Sequence, residues 1–389
     1  MSHVRQVSQH QKVMLDKFHK MLKVMANKKG TDLFITIGMP PSMKLYGELM
    51  PLSSSTLSKE MVDDLVFGIM DEEQELTFRQ QRECNFALSA PGVGRFRVSA
   101  FYQRNQAGMV LRRIEFDVPR LEHLDLPEVI NELAMEKRGL ILFVGATGTG
   151  KSTSLAAMIQ HRNENSRGHI ICIEDPIEFI HQHKNCIVTQ REVGIDTDSF
   201  EVALKNTLRQ SPNVIMIGEV RSRETMEYAL AFAETGHLCL ATLHANNANQ
   251  ALERVINFFP QERHNQIWMD LSLNLKAIIA QQLVPTVDGK SRKGVIEVLL
   301  NTPLVSDMVR KGNVHGLKEV MKKSREQGMQ TFDQALYDLY SAEKISYDDA
   351  LAFADAPNDL RLMIKLGTSE NTSPEARFST GGDQFTLMD

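Results

Sequence analysis

Residues 139–160 read GLILFVGATGTGKSTSLAAMIQ, and this stretch is the most informative part of the chain about its fold. Residues 140–144 are five consecutive apolar residues, as is typical of a strand buried on both faces of a parallel sheet. The glycine-rich segment 145–152 follows, and residues 153–160 then have the character of a helix. A strand, a glycine-rich loop ending in Lys-Ser and a helix, in this order, predict a loop that cradles the phosphates of a nucleoside triphosphate.

The chemistry of such a loop assigns a role to each residue type. Glycines let successive backbone N–H groups point at phosphate oxygens at a helix N-terminus, where the helix dipole favours negative charge. Lys151 is then expected to neutralise the β- and γ-phosphates, and the hydroxyl of Ser152 to bind Mg²⁺. The predicted nucleotide-binding residues of the loop are Gly145, Ala146, Thr147, Gly148, Thr149, Gly150, Lys151, Ser152 and Thr153.

The loop alone leaves alternatives open. A glycine-rich turn without a ligand is one of them, although the strand and helix on either side disfavour it. A GTPase needs an Asn-Lys-x-Asp segment after the loop, whereas the pair Asn27-Lys28 precedes it and lacks the aspartate. A small-molecule kinase stays open at this point.

Composition narrows the class of protein. A length of 389 residues predicts two or three domains, and 42% hydrophobic with 24% charged residues is typical of a soluble globular protein. The net charge of -5 gives no overall basic field for nucleic acid or anionic lipid. Four scattered cysteines without a CxxC pair indicate neither a disulfide framework nor a zinc site, and they favour a reducing cytoplasm. No run reaches the length of a membrane span, so we expect membrane contact only through partner proteins.

The residues on either side of the loop predict two α/β units. Elements expected before the loop are a helix over 13–28, strands over 32–37 and 44–49, one helix over 58–78, and a hairpin of 93–102 with 108–114. After it, apolar strands over 169–173, 214–217 and 238–243 alternate with helices, which predicts a mostly parallel sheet. The predicted domains are an α/β domain over 1–115, a linker over 116–127, a nucleotide-binding core over 128–300, a helical subdomain over 301–366 and a disordered tail over 367–389.

Three further segments follow the loop in a fixed order and carry a resemblance to a known family. They are IEDPIEF at 173–179, IGEVR at 217–221, and ETGH at 234–237 running to TLH at 242–244. They resemble the Asp box, Walker B segment and His box of the secretion ATPases that serve type II secretion and type IV pili. The match implies a PAS-like N-terminal α/β domain followed by a RecA-like P-loop ATPase domain with a helical C-terminal subdomain.

Within that superfamily the chain resembles the pilus retraction ATPases of the PilT/PilU family. Ala146 in the loop, the run HANNAN at 244–249 and the long region beyond Gly367 favour the PilU branch. The tetracysteine insertion of assembly ATPases is missing, which favours retraction over extension.

The resemblance also implies roles for individual residues. Glu178 is expected to polarise the attacking water, and Glu219, with Ser152, to hold Mg²⁺. His237 and His244 resemble the His-box residues, with His244 facing the γ-phosphate. The resemblance implies further that Arg97 and Arg112, in the N-terminal domain, are arginine fingers.

Some positions read differently without the resemblance or depart from it. Without the resemblance, Arg97 and Arg112 would be interpreted as the solvent-exposed face of a strand. Glu174 and Asp175 are interpreted as structural residues, and His181 and His183 as surface residues. Three segments depart from the common family pattern: Ser-Pro-Asn at 211–213, Ser222 after Arg221, and residues 303–309, which lack the Ala-Ile-Arg-Asn-Leu-Ile-Arg motif of the PilT branch. These departures bear on motor output more than on hydrolysis.

The leading hypothesis is a cytoplasmic homo-hexameric, Mg²⁺-dependent ATPase at the inner-membrane base of a type IV pilus. Its implied partners are a PilT-like ATPase and a PilC-like platform protein, with no nucleic acid. Two alternatives remain: an ATP-binding adaptor with little motor activity of its own, and, ranked last, a nucleic-acid translocase.

Overall fold

A computed structural model describes residues 9–115 and 117–370, without the side chains of residues 9–11 and 367–370. It has the mixed α/β class that the sequence predicts, with one six-stranded and one seven-stranded sheet. Each sheet has its own apolar core. The two sheets are the two α/β units expected on either side of residues 116–127.

The first unit is an antiparallel sheet in the order β3-β2-β1-β6-β5-β4 with three helices packed on it. Helix α1 buries Met14, Phe18, Leu22 and Met25, whose spacing places them on one face. The elements are α1 (Gln9–Asn27), β1 (Asp32–Ile35), β2 (Ser42–Leu45), β3 (Glu48–Pro51), α2 (Lys59–Gly68), α3 (Glu72–Gln81), β4 (Glu83–Ala90), β5 (Gly94–Gln103) and β6 (Gln106–Arg113).

Two predicted elements of this unit are wrong. The strand expected over 44–49 is instead the turn of a hairpin, because Tyr46 and Gly47 both take positive φ angles between β2 and β3. The single helix expected over 58–78 is two helices, because Asp71 begins α3 with a capping box that also uses Gln74. Strand β4, which completes the sheet, was not predicted.

The second unit is a sheet in the order β13-β12-β7-β11-β10-β8-β9. All its neighbouring strands run parallel except β12 and β13, which pair antiparallel. The elements are α4 (Val129–Ala134), β7 (Gly139–Val144), α5 (Lys151–Asn165), β8 (Gly168–Glu174), β9 (Cys186–Glu192), α6 (Phe200–Thr207), β10 (Val214–Ile217), α7 (Arg223–Glu234), β11 (Leu238–Leu243), α8 (Ala248–Asn257), α9 (His264–Asn274), β12 (Leu275–Pro285) and β13 (Arg292–Leu300).

The four strands predicted for this sheet are confirmed as β7, β8, β10 and β11, and each is almost wholly buried. Strands β9, β12 and β13 were not predicted. Since the carboxyl ends of parallel strands meet at one edge of a sheet, the segments after β7, β8, β10 and β11 lie side by side. The phosphate loop, the Asp box, the Walker B segment and the TLH end of the His box are at that edge, so the fold itself assembles them, whereas ETGH lies at the other end of β11.

The residues after β13 are helical, as predicted: α10 (Pro303–Arg310), α11 (Leu317–Lys323), α12 (Phe332–Ser341), α13 (Tyr347–Ala352) and α14 (Pro357–Glu370). Helix α14 passes the expected boundary at Gly367, and the rest of the predicted tail lies outside the described residues. Over the described residues, no helix combines the length and apolar character that crossing a bilayer requires. The domain boundaries at 115, 127 and 300 stay a prediction.

Candidate nucleotide site

The phosphate loop connects β7 to α5, as the sequence predicts. Gly145 has a φ of +154°, and a Cβ there would lie 2.5 Å from the carbonyl oxygen of Gln281. Gly150 immediately precedes α5 with a φ of +87°, which favours glycine. Both positions therefore need glycine, the first for space and backbone angle together, so that the loop can curl at the helix N-terminus.

Lys151 lies with its stem in the protein and its ammonium over the loop. The Nζ atom donates to the carbonyl oxygens of Gly145 and Ala146, each at 2.8 Å. Burial lowers the pKa of Lys151, while the charge of Glu219 raises it. The Lys151 ammonium therefore lies at the loop, within the influence of the Glu219 carboxylate. A bound phosphate would replace the two neutral carbonyl acceptors with charged oxygens, which form stronger hydrogen bonds.

Gln281, on β12, is a supporting residue that the sequence reasoning missed. Its side chain is 4% exposed, and its Oε1 accepts from Ser154 Oγ on α5 at 2.8 Å. Its amide nitrogen lies 2.8 Å from where a Cβ of residue 150 would be. The signal was available, because Gln281 directly follows the apolar run AIIA within the strand sequence LKAIIAQQLVP, and a buried glutamine needs a polar partner.

His244 and Glu219 meet beside the loop, as the resemblance implies. His244 Nε2 lies 3.0 Å from Glu219 Oε1, and Nδ1 lies 3.3 Å from the carbonyl oxygen of Gly145. Both partners are acceptors, so a neutral ring donates to one of them only. Arg221 Nη2 lies 2.7 Å from the other oxygen of Glu219, and Nη1 lies 3.5 Å from Asp175 Oδ2. This chain of charges links the segments after β8, β10 and β11.

Glu178 faces the first unit across a cavity of about 310 Å³. Arg97 and Arg112 line the cavity with it, and they lie opposite each other in the pairing of β5 with β6. Arg112 Nε donates to Asp32 Oδ1 at 2.8 Å. Both expected arginine fingers and the expected catalytic glutamate therefore lie around one space.

Two buried acids support the Glu178 segment. Glu174 has its pKa raised to about 7, chiefly by burial, and Glu192 has its pKa raised by burial too. Arg97 Nε lies 3.9 Å from Glu192 Oε1. Glu174 is buried, and its structural role stays a prediction. His181 is not the surface residue that was expected: it is 7% exposed, and burial lowers its pKa to about 4.

His237 is the expected site residue that the structure does not bring to the loop. It precedes β11, and its carbonyl oxygen accepts from the N–H of Gly139 at the start of β7. The phosphate loop lies at the other end of β7, about 20 Å away for a six-residue strand. Within one chain, His237 lies at the opposite edge of the sheet from the loop.

The arrangement suits phosphoryl transfer, which needs positioning and fixed charge more than covalent chemistry. Lys151 and the loop amides can hold the polyphosphate. Ser152 and Thr153 lie in the first turn of α5, next to the loop, and both are at least partly exposed. The hydroxyl of Ser152 and the carboxylate of Glu219 are oxygen donors of the type that Mg²⁺ prefers. Arg97 and Arg112 can stabilise the charge that develops next to Glu178.

Comparison with known proteins points the same way. A family model described as type II/IV secretion system protein matches residues 77–343. The chain is 69% identical to the type IV pilus ATPase PilU of Pseudomonas aeruginosa, covering 96% of this chain and 97% of the relative. It is 37% identical to the type IV pilus retraction ATPase PilT of that species, covering 87% and 98%.

A solved structure is also similar. The crystal structure of the pilus retraction motor PilT with bound ADP matches with a TM-score of 0.83 at 36% identity, covering 89% of this chain and 99% of that one.

Proposed function

The chain belongs to the type II/IV secretion system protein family and is an ATPase, and from this premise we propose that it powers retraction of a type IV pilus. The family, and the PilU branch within it, were predicted from the motifs and are confirmed. The PilT relative is named as a retraction ATPase, and the chain is similar to PilT over nearly its whole length.

One structural observation gives the main support for the proposed motor function. Glu178 belongs to the second sheet and Arg97 and Arg112 to the first, yet all three line a single cavity. Release of the γ-phosphate after hydrolysis removes a negative charge that would add to the attraction holding the arginines near Glu178. A site shared by two units therefore converts the chemical step into movement of one unit against the other.

The proposed roles at the site combine the roles that the resemblance implies with the contacts described above. Lys151, Ser152 and the loop amides bind ATP, and Ser152 with Glu219 holds Mg²⁺. Glu178 polarises the attacking water. His244 contacts both the Gly145 carbonyl oxygen and Glu219, and so couples the loop to this carboxylate. His237, at the far edge of the sheet, does not reach a nucleotide bound at this chain's loop, so the nucleotide-binding role that the resemblance implies for it would need a nucleotide bound by another copy.

The proposed assembly is a homo-hexamer at the cytoplasmic side of the inner-membrane pilus base. A PilC-like platform protein and a PilT-like ATPase are its proposed partners. Support comes from the resemblance, and from the position of His237, which favours a site completed by a neighbouring subunit.

The test of the function uses a strain that lacks the chain. We expect the strain to keep its pili and to retract them with less force or frequency, and the Lys151→Ala variant to fail to restore retraction. Purified wild-type protein should hydrolyse ATP in the presence of Mg²⁺, and the Lys151→Ala variant should hydrolyse it at least about 100-fold more slowly. Intact motifs with no turnover in the wild type would favour the adaptor alternative instead.

A further inference from the structure

Gln190, on β9, uses every hydrogen-bonding group of its side-chain amide on the segment around Glu178. Its Nε2 donates to Glu174 Oε1 at 2.9 Å and to the carbonyl oxygen of Phe179 at 2.8 Å. Its Oε1 accepts from the N–H of His181 at 2.9 Å. A reversed amide would direct N–H groups at the His181 N–H, so the network fixes its orientation.

These contacts lie on both sides of Glu178 in the chain. Glu174 precedes it, and Phe179 and His181 follow it. Besides burial, the interactions that set the pKa of Glu174 include the Gln190 amide and the backbone amide of Glu178, both lowering it. Glu174 thus connects Gln190 with the backbone of Glu178 itself.

The segment has little regular structure of its own. Between β8 and β9, Phe179 makes an isolated bridge with Glu115, and the N–H of Ile180 donates to the Glu115 carbonyl oxygen at 3.0 Å. The N–H of Ile177 lies 3.4 Å from Glu192 Oε2. Side chains of β9 therefore satisfy backbone groups that a helix or a strand would satisfy elsewhere.

We propose that Gln190 is a positioning residue for ATP hydrolysis, whose amide fixes the backbone of residues 174–181 so that Glu178 faces the cavity lined by Arg97 and Arg112. The proposal rests on the catalytic role proposed for Glu178. Displacing a reacting group by about 1 Å costs on the order of 100-fold in rate. A carboxylate on an irregular segment therefore depends on the residue that holds the segment.

The test variant is Gln190→Glu, which keeps the length and the acceptor oxygen but removes both donors. We expect kcat at pH 8 to fall about tenfold or more, with KM for ATP changed less than about twofold, because no contact of the phosphate loop is altered. The new carboxyl would lie beside Glu174, and two adjacent carboxyls share a proton at lower pH. That proton restores a donor, so the deficit in kcat should shrink at pH 6.

A second variant and a control accompany it. Gln190→Met has similar length without any donor or acceptor, so its deficit should not depend on pH, and it carries the test if the first variant does not fold. Ile187→Thr, at a 61% exposed position on the same strand, should keep wild-type kcat. Tm measurements report folding for each protein.

Glu178→Gln in the same assay separates the two proposals. If it is inactive and both Gln190 variants show wild-type kcat at both pH values, Gln190 has no positioning role and the role of Glu178 stands. If Glu178→Gln itself turns over at the wild-type rate, the catalytic role of Glu178 fails, and the role of Gln190 fails with it.

Discussion

Arg97 and Glu192 face each other across the boundary between the two sheets, with Nε of Arg97 3.9 Å from Oε1 of Glu192. The carboxylate is 1% exposed, and that oxygen has no hydrogen-bond donor among the described residues. A buried charge without a close partner is costly, so the guanidinium is attracted to this position. The attraction of Glu192 therefore helps to hold Arg97 in the cavity that Glu178 also lines.

Arg97→Ala should slow hydrolysis without abolishing nucleotide binding. The arginine lies in the cavity with Glu178, while the loop and Lys151 belong to the other unit. We expect kcat to fall about 1,000-fold, within the range for arginine fingers, with the affinity for a non-hydrolysable ATP analogue lowered far less. Arg104→Ala, at the exposed tip of the same hairpin, is the matched control. Equal kcat for the two variants would remove Arg97 from the site.

His244→Ala should uncouple the loop from Glu219. The His244 ring lies between the Gly145 carbonyl oxygen and Glu219 Oε1, and an alanine at this position would remove both contacts. We expect kcat to fall about tenfold to 100-fold. Steady-state kinetics beside a His123→Ala control, at an exposed site in the connecting segment, measures this. Loss of ATP binding with unchanged kcat would contradict a role in the chemical step.

Gln281→Leu should weaken ATP binding through the shape of the loop. The substitution keeps roughly the same volume but leaves the Ser154 hydroxyl on α5 without its partner, which costs about 1–3 kcal/mol. We expect a lower Tm, and a larger Kd for ATP than in a Gln282→Leu control at the adjacent, less buried position. A lower Tm with an unchanged Kd would show that Gln281 stabilises the sheet without shaping the loop.

Glu297→Gln should change the pH dependence of stability. Glu297 is fully buried, one oxygen accepts from the Ala248 N–H at 2.8 Å, and burial raises its pKa from 4.5 to about 7. Between these pH values the folded protein keeps a proton that the unfolded chain releases, so this group's contribution to stability falls as pH rises. The variant lacks the titration and should gain up to about 3 kcal/mol relative to wild type between pH 5 and pH 8.

Tm measured at several pH values tests this difference. The raised pKa of Glu174 acts in the same direction but is present in both proteins, so it cancels in the comparison. An exposed-site control, Glu253→Gln, should follow the wild-type curve. Parallel Tm curves for wild type and Glu297→Gln would contradict the prediction.

The sequence-based predictions were correct where neighbouring residues specify an element, and incorrect where they do not. The strand, loop and helix around Lys151 were predicted because each is encoded by neighbouring residues. The hairpin at Tyr46 and Gly47 was missed because Leu45, Tyr46 and Leu49 make the turn region as apolar as a strand, and the single glycine was not taken as a turn signal. Strand β9 was missed because it is an edge strand with mixed burial, which has no clear apolar period.

The sequence alone predicts a phosphate-binding loop over residues 145–152, because glycines, a lysine and a helix start act on their immediate neighbours, and the strand and helix on either side are confirmed. It also supplied the motifs that identify the family. Only the tertiary structure decided which distant side chains share a site. The packing of the two units brings Arg97 and Arg112 to Glu178. Strand order in the second sheet sets Gln281 against the loop and Gln190 against the Glu178 segment, and leaves His237 at the far edge. Such neighbours depend on the pairing of strands remote in sequence, which no local pattern of residues specifies.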